Sequence, residues 1–309
     1  MEVPSSILTR SAAIVWLALV GAVGCNDEVS LGAFAGEQQG NGGGSGGGGG
    51  TALPECGDPG EVGATNAPGP GVGVTITYTD WDWTEPFDSL EWEVRVEVEP
   101  EDDGYLFAHE FTLEAGNTGL VTLQANGGYQ ADPPGGPTDI AKLVQFWLEG
   151  PPMRAELGAI AYPNARVALE NQAGAQWWTI NARYEWQVCR AYRFSLRREE
   201  LAPGGGRWYA ARIRDTVTGT ETLIGRILTP EAWGGLVAPT RSWTNRIGWT
   251  PLGSCAAPEP VSVLFGAQSA NGGLLEPTKT SRFAMPPVCP SSRFTDFPNA
   301  VRQEVGGVP

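Results

Sequence analysis

The chain has 309 residues and a formal net charge of -15. So acidic a chain, whose only lysines are Lys142 and Lys279, lacks the basic surface that phosphate binding needs, and this argues against a nucleic-acid partner. Glycine and proline are abundant at 43 and 25, but much of the glycine lies in one tract, leaving roughly 200 to 240 residues for a folded body, enough for one domain with a real core.

The chain opens with Arg10 ahead of an apolar run, Ala12 to Val23, too short to span a bilayer. Small residues Ala22-Val23-Gly24 stand directly before Cys25. The segment resembles a bacterial lipoprotein signal with its lipobox. That resemblance implies removal of residues 1–24, lipid attachment to the Cys25 sulfur, and a protein held at a membrane in the cell envelope, facing periplasm or exterior. Acyl chains contribute about 0.8 kcal/mol per buried methylene, so several on one residue give a durable anchor. Residues 25–66 then form the expected flexible tether. The run Gly40 to Gly50 has too little apolar surface to order itself.

With Cys25 set aside, Cys56, Cys189, Cys255 and Cys289 remain, an even number in an exported chain. Two disulfides are expected. Three pairings exist; the favoured one joins Cys56 to Cys289, which flank the domain, and Cys189 to Cys255. No CxxC spacing occurs, so no metal site is expected.

From residue 67 the pattern is of strands. Val74, Ile76 and Tyr78 alternate with threonines, and Trp81 and Trp83 alternate with Asp80 and Asp82. Residues 91–99 are the clearest case, with Trp92, Val94, Val96 and Val98 on one face and Glu91, Glu93, Arg95, Glu97 and Glu99 on the other. Further strands are read at 105–113, 119–125, 143–148, 166–170, 176–180, 185–198, 207–216, 222–228, 241–249 and 261–267. Gly/Pro turns separate many of them, and only 230–236 reads as a short helical turn. The expectation is an all-β, antiparallel two-sheet β-sandwich, jelly-roll or concanavalin-like, over 67–270, with a Pro-rich extension over 271–309.

The stretch 165–224 carries Trp177, Trp178, Trp186 and Trp208 beside Tyr184, Tyr192 and Tyr209. Its pattern is Gly174-x-Gln176, then Trp186 with Tyr192 and Phe194, then Trp208-Tyr209 leading to Asp215 and Gly219. Upstream, Gly119 to Gln124 and Val144 to Leu148 add two more strands, although Val144 stands in place of an aromatic and Leu148 in place of an acid. Together, over about residues 78–267, these resemble a secreted bacterial domain-of-unknown-function family. The resemblance implies a jelly-roll-like sandwich in exported proteins, with an association with carbohydrate. It brings no catalytic residue.

Candidate chemistry is sparse. The glutamates of 91–99 fit a solvated outer face. His109, the only histidine, sits mid-strand with no serine elbow or catalytic cysteine beside it, and a structural role is expected. No cofactor is implied. Binding signals are stronger. In a strand, Trp177 and Trp178 must point to opposite faces. One ring packs inward, and the other is left to stack on a sugar, with Gln176 or Asn181 supplying hydrogen bonds. Trp81, Asp82 and Trp83 form a second candidate, aromatic platform beside acceptor, and Trp243, between Arg241 and Arg246, a third. The expected role is non-catalytic binding of a glycan or another envelope component. The alternatives are an enzyme acting on polysaccharide and a structural envelope protein.

Overall fold

The computed structural model describes residues 53–57, 61–65, 76–130, 138–150, 166–172, 175–247, 259–283 and 293–305. The apolar N-terminal segment with Cys25, the glycine tract, Cys255 and Cys289 lie outside them. In chain order the strands are β1 (Glu61–Thr65), β2 (Ile76–Asp82), β3 (Ser89–Val98), β4 (Gly104–Leu113), β5 (Thr118–Gln130) and β6 (Thr138–Glu149). There follow β7 (Arg166–Gln172), β8 (Ala175–Arg183), β9 (Tyr192–Leu201), β10 (Arg207–Asp215) and β11 (Glu221–Thr229). After a 3-10 turn at Glu231–Trp233 come β12 (Leu236–Ile247), β13 (Val261–Ala270), β14 (Thr278–Phe283), β15 (Arg293–Phe297) and β16 (Ala300–Val305).

These make two eight-stranded antiparallel sheets packed face to face. The first runs β1-β15-β16-β13-β3-β9-β10-β11, the second β14-β2-β12-β4-β5-β6-β8-β7. The expected β-sandwich is what forms. The sheets, however, take in more chain than 67–270: β1 precedes that range, while β14, β15 and β16 follow it, and β16 lies inside the first sheet. The proline-rich composition of 271–309 conceals three short strands. Their alternation is brief, as in Ala300 to Val305, where Val301 and Val305 turn to the core and Arg302 and Glu304 turn away. Among the described residues no helix is long and apolar enough to cross a membrane.

The period-two pattern decides the layering. On β3, Leu90, Trp92, Val94 and Val96 face the second sheet, where they meet Phe107, Phe111, Phe146 and Ile180 in one core. Where β11 packs on β8 there is no room for a side chain: a Cβ at Gly225 would lie 2.4 Å from Ile180 Cδ1. The carboxylates of 91–97 do lie on the outer side of the first sheet, but they form a ladder of ion pairs and are not freely solvated. Glu91 pairs with Arg197 at 2.7 Å, Glu93 with Arg193 at 2.5 Å, and Glu97 with both Arg95 and Arg302 at 2.5 Å. Glu93 and Glu97 are buried in this ladder.

The stretch read as one strand over 185–198 divides. Strand β9 begins only at Tyr192, because Cys189 takes a left-handed backbone (φ 63°) in a turn that returns the chain to β3, where the Cys189 N–H meets Val96 O at 2.8 Å. Cys189 is joined to Cys56, with Cα atoms 5.5 Å apart. This overturns both expected disulfides. The pairing ties the start of the domain to its middle, a proximity created by folding that spacing along the chain does not encode.

Candidate binding face on the second sheet

The second sheet carries a second apolar cluster on the side away from the main core. Tyr105, Phe107 and Phe111 of β4 point to the main core, yet Leu106 and Ala108 between them belong to a second cluster, with Leu120, Trp147 and Trp243. Tyr78, Trp177 and Ile247 pack against it. A sheet with one solvated side alternates apolar and polar; one covered on both sides reads as a continuous apolar run. Tyr105 to Ala108, Leu120 to Leu123 and Val144 to Leu148 come close to that second kind.

Strand register arranges this outer face in rows. One row crosses the sheet as Asp80, Arg241, Glu110, Leu120, Trp147 and Thr179. The next runs Tyr78, Trp243, Ala108, Thr122, Gln145 and Asn181. Polar groups are thus set among rings. Arg241 Nε donates to Asp80 Oδ1 at 2.6 Å, and its guanidinium lies 4.8 Å from the centre of the Tyr78 ring. Trp243 Nε1 donates to Glu110 Oε2 at 3.2 Å, and Trp147 Nε1 to Asn181 Oδ1 at 3.3 Å. Loss of hydration raises the Glu110 carboxyl above its ordinary range, against the pull of Arg241 and the Trp243 hydrogen bond.

The sequence-predicted residues divide between the two sides. Trp177 and Trp178 point opposite ways, as adjacent strand residues must. Trp178 is in the main core, and Trp177 packs on the outer cluster, partly exposed. Gln176 shares the parity of Trp178 and so is not beside the Trp177 ring; Asn181 is on the outer face. Trp81 and Trp83 are core residues whose indole N–H groups are met by Ser242 Oγ at 3.0 Å and Thr240 Oγ1 at 3.1 Å. They form no platform, while Asp82 is exposed at the strand end. Trp243 does belong to the outer face, but low in it, at 4 % exposure. Tyr78, Glu110, Gln145 and Trp147 went unread as site residues. Their signal was the apolar run in β4 to β6, interrupted by single polar residues.

On the inner side of the same sheet, His109 is fully buried and stacks on Trp92 with ring centres 4.6 Å apart. Ser242 Oγ accepts from Trp81 Nε1 and, at 3.4 Å, from Gln268 Nε2. Its own hydrogen therefore goes to His109 Nδ1 at 3.0 Å, which puts the imidazole proton on Nε2. Burial holds the imidazole pKa down at about 3, so the ring is neutral. Nearby, Gln303 of the first sheet donates to Ser242 O and Thr79 Oγ1 and accepts from Thr77 Oγ1, fastening the two layers. Among the described residues no group of three or more His, Cys, Asp or Glu is placed to hold a metal ion.

No protein-family model matches the chain, and no curated protein matches it. The chain is similar to the solved structure of scytalido-glutamic peptidase with a transition-state analog inhibitor, at 9 % identity and a TM-score of 0.38, over 76 % of this chain and 100 % of that one. A likeness that weak carries no argument about what this chain does.

Proposed function

We propose that the protein is a lipid-anchored protein of the cell envelope that binds a glycan, without altering it, through the outer face of the second sheet. The observation that carries this reading is the pair of partly exposed rings Trp177 and Tyr78, with Trp243 and Trp147 buried beneath them, set beside Asp80, Arg241, Glu110 and Asn181 on the side of the sheet turned away from the main core. A sugar ring is apolar on its faces and polar at its edge. Rings beside hydrogen-bonding groups match both at once. A lipid on Cys25 followed by the glycine tract would hold this face clear of a membrane. The test is a glycan array with the full chain beside Trp177→Ala. We expect binding in the wild type and its loss in the variant. No hit with the wild type would leave the structural envelope role as the better account.

One observation favours a second reading, an enzyme acting on polysaccharide. Glu110 and Asp80 lie in one row, separated only by the strand that carries Arg241, so their backbones are about 10 Å apart. Glu110 is held towards its protonated form, while Asp80 pairs with a cation. An acid and a carboxylate of unlike character about 6.5 to 9.5 Å apart are what inverting glycosidases use. Release of reducing ends by the wild type, abolished in Glu110→Gln, would establish it.

A further inference from the structure

The outer face holds polar atoms that folding leaves unmet. Gln145 Oε1 and Asn245 Oδ1 are both buried without a hydrogen-bond partner. Gln145 is 4 % exposed and lies in the row of Trp243 and Asn181; Asn245 lies one row further on, opposite Leu106. Leaving a buried acceptor unsatisfied costs about 1–3 kcal/mol. Two on one face of one sheet, amid rings, mark a surface that lacks its donors. The guanidiniums of Arg241 and Arg183 on this face already have carboxylate partners, Asp80 and Glu185. The whole chain carries -15, so an anion approaches against a repulsive field.

Resting on the glycan reading, we infer that the bound saccharide is uncharged, and that Gln145 and Asn245 select it by accepting hydrogen bonds from its hydroxyl groups. The rings give affinity for any pyranose; the two amide oxygens reward O–H donors and reject carboxylate and sulfate. Such a site gains more from its ligand than the hydrogen bonds alone, because binding also removes the cost of the unmet acceptors.

The experiment uses the full chain and titration calorimetry against hexasaccharides of glucose, xylose and mannose, and against oligogalacturonate and a heparin-derived hexasaccharide at matched ionic strength. Binding of at least one neutral oligomer, ten times tighter or better than either acidic one, is expected. Equal or tighter binding of an acidic oligomer overturns this inference while leaving the glycan reading in place. Failure of every saccharide removes both. Gln145→Met and Asn245→Leu keep the volume and delete the acceptor. Each should weaken the neutral ligand about fivefold to tenfold. Each should also leave the thermal midpoint of the free protein unchanged or raised, since an unsatisfied group has gone. Lowered midpoints with unchanged affinity in both variants would show the two amides to be structural, and would sink the assignment.

Discussion

Trp243 and Glu110 meet across neighbouring strands on the outer face of the second sheet, indole Nε1 to carboxyl Oε2 at 3.2 Å, with Arg241 beside them in the same row as Glu110. The contact explains how a carboxyl persists in an apolar setting. Desolvation raises its pKa, while Trp243 and Arg241 oppose the rise. Removing either opponent must therefore raise it further. Carbon-detected NMR titration of the Glu110 carboxyl should find it above the ordinary glutamate range in the wild type, and higher in Trp243→Phe and in Arg241→Met. A lower value in either variant would contradict the geometry. For stability the sign follows directly: a carboxyl raised in the folded state favours folding most below its unfolded value, and that contribution is lost as pH rises through the folded value.

His109 has the opposite dependence. Its folded pKa of about 3 lies below the ordinary 6.5, because burial disfavours the imidazolium. The side chains that meet the ring are Trp92 from β3 and Ser242 from β12, neither of which can carry a compensating charge. The unfolded chain thus binds a proton first. Stability contributed by the neutral ring is complete above about pH 6.5 and falls as pH drops towards 3, by on the order of several kcal/mol. Urea unfolding of the wild type and His109→Gln at pH 7, 5.5 and 4 isolates this contribution from the opposing one of Glu110. The gap between the two curves should change steadily with pH. Parallel curves would mean that the ring is not held neutral by the fold.

The adjacent indoles give a third expectation. Trp178 fills the main core at 5 % exposure, and Trp177 rests on the outer cluster, partly exposed. Trp178→Ala should lose about 3–5 kcal/mol of folding stability. Trp177→Ala should lose about 1 kcal/mol or less. Denaturant melts of the two variants decide it, and a reversed order would put the wrong indole inward.

How much of this was legible in the sequence follows from what alternation can carry. Period two placed Trp92, Val94 and Val96 on one side of β3, set Trp177 against Trp178, and put Trp81 and Trp83 together. It gave the sandwich. It could not say which side of the second sheet Trp81 and Trp83 joined, because β4 to β6 are apolar on both. Nor could it bring Asp80, Arg241 and Glu110 into one row, since β2, β12 and β4 are neighbours only through a long-range register. The late strands β14 to β16 were obscured by proline, glycine and brevity. The inner Ser242–His109 contact joins residues 133 apart in the chain and was equally out of reach.

The disulfide is the last test, and it concerns the same kind of long-range proximity. Cys56 precedes β1, and Cys189 sits in the turn that leads into β9, 133 residues later. A bond across so long a loop removes much freedom from the unfolded chain, and its loss costs about 3–5 kcal/mol on a chain-entropy account. Non-reducing peptide mapping should recover the Cys56 peptide linked to that of Cys189. The double variant Cys56→Ser, Cys189→Ser should unfold at lower urea than the wild type and lose its sensitivity to reductant at that bond. A Cys56 peptide found joined to Cys289 would restore the pairing expected from the sequence, and would require the turn at Cys189 to lie elsewhere than against β3.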